Sequence, residues 1–207
     1  MSVSLCLIAF SSFVVAFSGA LVAGPLLSMT IAEATRRGVV AGPLIIVGHG
    51  ILELSLIILI IFGIAPFLTV PLAKTGICVI GGLVLIYLGC RMIRDARKAL
   101  FSAADGKIQR GMHPVISGII GSVSNPYWIM WWVTIGMGYL ISSLKFGMLG
   151  VSIFFFGHIS ADLGWYSVVS FAVSRGRKVI GDSGYRLLLY SCGVFLIIFG
   201  IWFLKGI

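Results

Sequence analysis

A chain of 207 residues with 59% hydrophobic residues, 10% charged residues and a mean hydropathy of +1.14 lies far from a soluble domain, which carries about 25% charge. The net charge of +9 does not mark a nucleic-acid binder, because Lys and Arg fall in short connectors beside apolar runs, where they would face anionic lipid. Four scattered cysteines with no CxxC pair argue against a thiol-redox carrier and against thiolate metal centres.

In chain order, six apolar runs lie at about 5–27, 40–63, 67–89, 114–141, 147–172 and 187–204, each near or above the roughly 20 residues that cross a bilayer. No basic residue precedes Arg36, so the first run lacks a signal peptide's positive region and reads as a retained span. It is interrupted at Ala23-Gly24-Pro25 and followed by Arg36 and Arg37. The second run contains Gly48-His49-x-x-x-Glu53 and ends at Gly63-Ile64-Ala65-Pro66, with Pro71 opening the third. The third carries Gly82 and Gly89, then gives way to a basic linker at about 91–113, in which Ser102 to Gly106 reads as helix-ending or flexible. The fourth run is broken at Ser124-Asn125-Pro126 and continues with Tyr127, Trp128, Trp131 and Trp132. The fifth contains Gly157-His158-x-x-x-Asp162 with Trp165-Tyr166 beyond it, and the sixth carries Gly193 and Gly200.

The order of these features repeats. Gly157-His158 follows Gly48-His49 by 109 positions, and Gly193 and Gly200 follow Gly82 and Gly89 by 111. The expectation is an all-α polytopic membrane protein forming a single transmembrane domain. Its six transmembrane helices form a 3+3 inverted repeat, with repeats at about 5–90 and 114–205 joined by the cytosolic linker. Three spans per half is odd, so the halves must enter the membrane in opposite senses. Twelve Lys and Arg fall in the first, third and fifth connectors, against Lys74, Lys145 and Lys205 elsewhere. The positive-inside rule places those connectors in the cytoplasm and both termini outside.

Glu53 lies about 13 residues into its run, on the order of 20 Å along the axis. A charge at that depth must be paired, hydrated or neutralised. His49 and Glu53, and likewise His158 and Asp162, stand four apart on one helical face and can share a proton. They can line a polar cavity or serve as packing clusters; with both histidines and both acids, divalent-cation ligation is an alternative. Pro25 and Pro126 each lack an N–H, and a matched pair of broken helices can build a solute site from backbone dipoles, with Gly24 and Asn125 at the breaks. Positive helix ends suit a carboxylate, and acids suit an ammonium, so a zwitterion fits. Trp128 follows the second breaker and can line a pocket or pack between helices. Glycines such as Gly38, Gly42, Gly81, Gly82, Gly118 and Gly121 suit close helix contact. No phosphate-binding loop or nucleophile–base arrangement is present, so no enzyme activity and no cofactor are expected. A non-transporting membrane scaffold is the remaining alternative.

These motifs resemble the lysine exporter type of translocators, which includes homoserine and threonine effluxers. The resemblance rests on Ala23-Gly24-Pro25, Arg36-Arg37-Gly38-x-x-x-Gly42, Gly48-His49-Gly50 with Glu53, Ser124-Asn125-Pro126 and Gly157-His158-x-x-x-Asp162-x-x-Trp165-Tyr166. It covers nearly the whole chain and is most like the branch with Gly-His-x-x-x-acid motifs. It implies a six-span inner-membrane exporter of amino acids or related small solutes, driven by protons, and is compatible with a homodimer. The family's usual Pro-Gly-Pro is replaced here by Ala23-Gly24-Pro25, a departure at the first breaker.

Overall fold

The computed structural model of the chain describes residues 2–21, 24–63, 71–102 and 112–205. Every regular element among them is helical, as composition demands in a solvent that cannot hydrogen-bond the backbone. In chain order they are α1 (Ser2–Ala20), α2 (Pro25–Arg37), a 3₁₀ turn (Gly38–Val40), α3 (Ala41–Ile61), α4 (Pro71–Ser102) and α5 (Pro114–Val123). After these come α6 (Pro126–Trp131), a π-helical turn (Trp132–Gly136), α7 (Met137–Leu144) and α8 (Gly147–Lys205).

Prolines set the starts. Pro25, Pro71, Pro114 and Pro126 each occupy the first position of a helix, where the missing N–H costs nothing. The first expected run therefore divides into α1 and α2, and the fourth into α5, α6 and α7. Ala23 and the linker residues 103–111, including Asp105, Lys107 and Arg110, lie outside the described residues. The helix begun at Pro71 continues through Arg91 and Arg94 to Ser102, so the start of the basic linker is helical. The fifth and sixth expected runs lie in one unbroken 59-residue helix, α8, because the basic segment between them contains no proline. Two apolar stretches of α8, Gly147–Gly176 and the shorter Leu189–Trp202, still flank that basic segment; among the described residues, Gly147–Gly176 and Pro25–Ile61 are the stretches long and apolar enough to cross a membrane.

Large apolar side chains face outward, while a set of polar ones is buried alongside the apolar core. Phe10, Phe62, Phe156 and Ile198 are exposed, whereas Ser12, Thr30, Glu33, His49, Glu53, Ser122, His158 and Asp162 are buried. In water such a surface would aggregate; in lipid it is the required arrangement. Helix α8 packs against α1, α2, α3 and α4, and α3 packs against α5.

These contacts are reciprocal between the chain's two halves. Gly48 of α3 sits against the carbonyl of Val115 in α5, while Gly157 of α8 sits against the carbonyl of Ala9 in α1. The glycine of each Gly-His motif thus lets a helix of one half touch the first helix of the other. Gly82 faces Gly200 and Leu204, and Gly200 faces Gly82 and Ile86; a Cβ on Gly82 would stand 2.8 Å from the Gly200 carbonyl oxygen. Gly89 meets Gly193 and Ile197, and Gly193 meets Gly89 and Ile93, in the same antiparallel crossing. Only residues without side chains allow backbones to come so close.

Candidate functional site

The crossing of α3 with α8 brings His49, Glu53, His158 and Asp162 into one buried cluster, with one donor atom from each lying within 4.8 Å of the others. Nε2 of His49 and Nε2 of His158 are each 3.2 Å from Oε1 of Glu53. The same two nitrogens lie 3.6 and 3.5 Å from Oδ2 of Asp162. Each histidine therefore faces the acid of its own helix and the acid of the other half. The i, i+4 spacing supplies the first relation, and the crossing of α3 with α8, which are closest where Gly42 meets the Tyr166 carbonyl, supplies the second.

Glu53 Oε1 also accepts hydrogen bonds from Nε1 of Trp128 and Nε1 of Trp132, both at 3.1 Å. The two indoles are four residues apart, where α6 passes into the π-helical turn, a device often found beside functional sites. Four N–H or ring-nitrogen groups thus converge on one oxygen, while Glu53 Oε2 is buried without a hydrogen-bond partner. His158 is boxed by aromatic rings, with Trp131 at 4.8 Å and Phe154 at 6.0 Å between centroids.

His49 is oriented from behind. Its Nδ1 lies 2.7 Å from Oγ of Ser122, and that hydroxyl donates its own proton to the Gly118 carbonyl at 2.8 Å. Ser122 must therefore accept from His49 Nδ1–H, which leaves Nε2 facing the two carboxylates. His158 Nδ1 has no partner. The offset that matches Ala9 with Val115 matches Ala16 with Ser122, and alanine offers no hydroxyl. The two histidines are inequivalent for that reason.

Of the residues expected from sequence, His49, Glu53, His158 and Asp162 meet in the cluster. Gly24, Asn125 and Trp128 join them in lining a cavity of about 90 Å³, room for several waters or part of a small solute. Gly24 caps α2 with backbone alone, and the buried Pro25 opens that helix. Pro126 opens α6. Sequence reasoning missed Ser122 and named Trp132 after the second breaker without giving it a role at the site; the signal was present, since Ser122 is four residues before Pro126 and Trp132 four after Trp128. Glu33, also buried, belongs elsewhere: Arg36 Nη1 at 3.3 Å and Arg37 Nε at 3.0 Å neutralise it within α2.

A buried His–carboxylate cluster shared by two halves of an apolar helical chain must be paired, hydrated or neutralised at such depth. The chain matches the family described as LysE type translocator over residues 17–206. It belongs to that family. This translocator is also similar to a Bacillus subtilis (strain 168) protein named "Putative amino acid efflux protein YcgF". Identity is 29% over 149 residues, covering 70% of this chain and 69% of the relative. No solved structure matches it. Family members move solutes across membranes, and the apolar exterior of this translocator agrees with that setting.

Ser122 gives a first test. In the Ser122→Ala variant the His49 Nδ1–H loses its acceptor, at a cost of about 1–1.5 kcal/mol for a buried hydrogen bond. Solute efflux from proteoliposomes is expected to fall by roughly tenfold, with the protein still eluting as a single folded species. An unchanged rate would show that Ser122 does not orient the histidine.

Proposed function

We propose that this translocator is a secondary transporter that exports amino acids or related small zwitterionic solutes across the cell (inner) membrane. The observation that carries the reading is the meeting of His49–Glu53 with His158–Asp162 in one buried cavity, each pair supplied by a different half of the chain. Glu53 Oε2 and Asp162 Oδ2 are buried without hydrogen-bond partners, which suits a solute ammonium. The N-terminus of α2, capped only by Gly24, opens on the same cavity and suits a carboxylate. The efflux named for the Bacillus subtilis relative agrees with that chemistry.

The mechanism is alternating access of two inverted three-span repeats, about 5–90 and 114–205, with both termini outside. The reciprocal contacts of Gly82 with Gly200 and Gly89 with Gly193 support that two-fold relation. Protons entering through the His–acid cluster drive export, since imidazole and carboxylate can hand a proton between them at 3.2–3.6 Å. Export by a homodimer belongs to the same proposal on the family resemblance alone.

Proton coupling is tested with everted vesicles. An imposed pH jump is expected to drive solute uptake in the wild type and to leave little pH-driven uptake in Asp162→Asn. Equal pH dependence in both would remove Asp162 from the proton path.

A further inference from the structure

We infer that His49, His158, Glu53 and Asp162 form a binding site for a transition-metal dication of the zinc or cobalt kind. The site is the one read above as the solute cavity, and metal binding is measured without transport, so either reading can fail alone.

The geometry points this way. A tetrahedral ion with bonds of about 2.0–2.1 Å to nitrogen and oxygen separates its donors by about 3.3–3.4 Å. Here the four nitrogen-to-oxygen separations around the cluster are 3.2, 3.2, 3.5 and 3.6 Å. All four donor atoms lie within 4.8 Å of one another, so any pair wider than the nitrogen-to-oxygen contacts must draw together for one ion to reach all four. Two imidazoles with two carboxylates suit zinc, cobalt or nickel better than magnesium or calcium, which prefer oxygen alone. A dication, two carboxylates and two neutral imidazoles sum to zero charge, the cheapest state for a group deep in lipid.

The surroundings are also those of a built site. Ser122 accepts from His49 Nδ1–H, so that Nε2, on releasing its own proton, presents its lone pair inward, as second partners of metal-binding histidines do. Trp128 and Trp132 donate to Oε1 of Glu53, fixing that carboxylate in turn. All four side chains are more than nine-tenths buried, and Oδ2 of Asp162 lacks a hydrogen-bond partner. The Nε2 of each histidine points at two carboxylate oxygens, an arrangement that a proton on each nitrogen or one shared metal ion satisfies, and the ion replaces those protons when it binds.

Tag-free protein in detergent is titrated with Co²⁺ while its visible spectrum is followed. The expected result is one cobalt per chain with the intense absorption of four-coordinate cobalt. His49→Gln and His158→Gln should each lose that absorption, and Asp162→Asn should weaken or shift it. His113→Gln should keep it, because His113 stands outside the cluster at the start of α5. Ser122→Ala, which leaves all four ligands in place, should weaken binding by about tenfold. Absence of cobalt from the wild type, the pale absorption of six-coordinate cobalt, or bands that survive both histidine substitutions would overturn the inference. Wild-type stoichiometry and Ser122→Ala decide the matter even if a ligand variant fails to fold. Efflux that persists in a protein binding no cobalt would leave the proposed function standing and remove only the metal.

Discussion

Replacing Glu53 by glutamine is expected to lower solute efflux by about a hundredfold without unfolding the protein. The carboxylate oxygen Oε1 receives Trp128 and Trp132 at 3.1 Å and both histidines at 3.2 Å. Hydrogen bonds to a charged acceptor contribute about 1.5–3 kcal/mol, against about 0.5–1.5 kcal/mol for a neutral one. Losing that difference at the two histidine contacts removes about 2–3 kcal/mol, and 1.4 kcal/mol is a factor of ten. The amide still accepts from the indoles, so the helices stay together. Its NH₂, however, takes the place of Oε2, the atom left for a solute ammonium. Glu53→Ala goes further by leaving two buried indole N–H groups without an acceptor, at about 1–3 kcal/mol each. It should therefore reduce folded yield, which Glu53→Gln should not. Efflux normalised to protein in the folded size-exclusion peak checks both statements. A Glu53→Gln rate within about twofold of wild type, against the factor of ten that 1.4 kcal/mol represents, would contradict this role.

The second large effect is expected at Gly48 and Gly118. A Cβ on Gly48 would collide with the Val115 carbonyl, and one on Gly118 with the Ile45 carbonyl. The obstacles are backbone atoms of the partner helix, so no side chain can swing aside and the helices must separate. Overpacking of this kind costs about 1–3 kcal/mol for a single methyl, and more for a larger group. Separation of α3 from α5 also stretches the 2.7 Å contact between His49 and Ser122, so stability and transport should fall together. Gly48→Ala and Gly118→Ala are expected to lower the unfolding midpoint in detergent, and Gly48→Leu to prevent recovery of folded protein. Gly138→Ala is the control: nothing stands within 4 Å of its Cβ position, and alanine favours the helix by up to about 1 kcal/mol over glycine. A Gly48→Ala midpoint at or above that of Gly138→Ala would mean that α3 and α5 are not in backbone contact.

Much of this architecture is legible in the sequence because lipid leaves few choices. The apolar runs must be helical, the prolines must open or break helices, and His and acid residues in such runs must find partners. The i, i+4 spacing alone places His49 with Glu53 and His158 with Asp162. What it cannot place is the cross-pairing of His49 with Asp162 and of His158 with Glu53, because that depends on how α3 crosses α8. Gly42 of α3, where a Cβ would collide with the Tyr166 carbonyl of α8, permits that crossing, and its role is visible only when Tyr166 is seen opposite it. Element boundaries were less legible. Basic residues read as a connector between the fifth and sixth runs instead continue α8, since charge alone does not end a helix and that segment has no proline. The π-helical turn at Trp132–Gly136 also escaped, because nothing in its composition separates five residues of π-helix from α-helix. That turn begins at Trp132, the second of the two indoles that hold Glu53.

The most direct measurement loads proteoliposomes with a panel of amino acids and follows their loss under an imposed proton gradient. At least one should leave faster from vesicles carrying the wild-type chain than from empty ones, and the gain should vanish with Glu53→Gln. Efflux indistinguishable from empty vesicles for every amino acid, or equal for wild type and variant, would contradict an export route through the shared His–acid cluster.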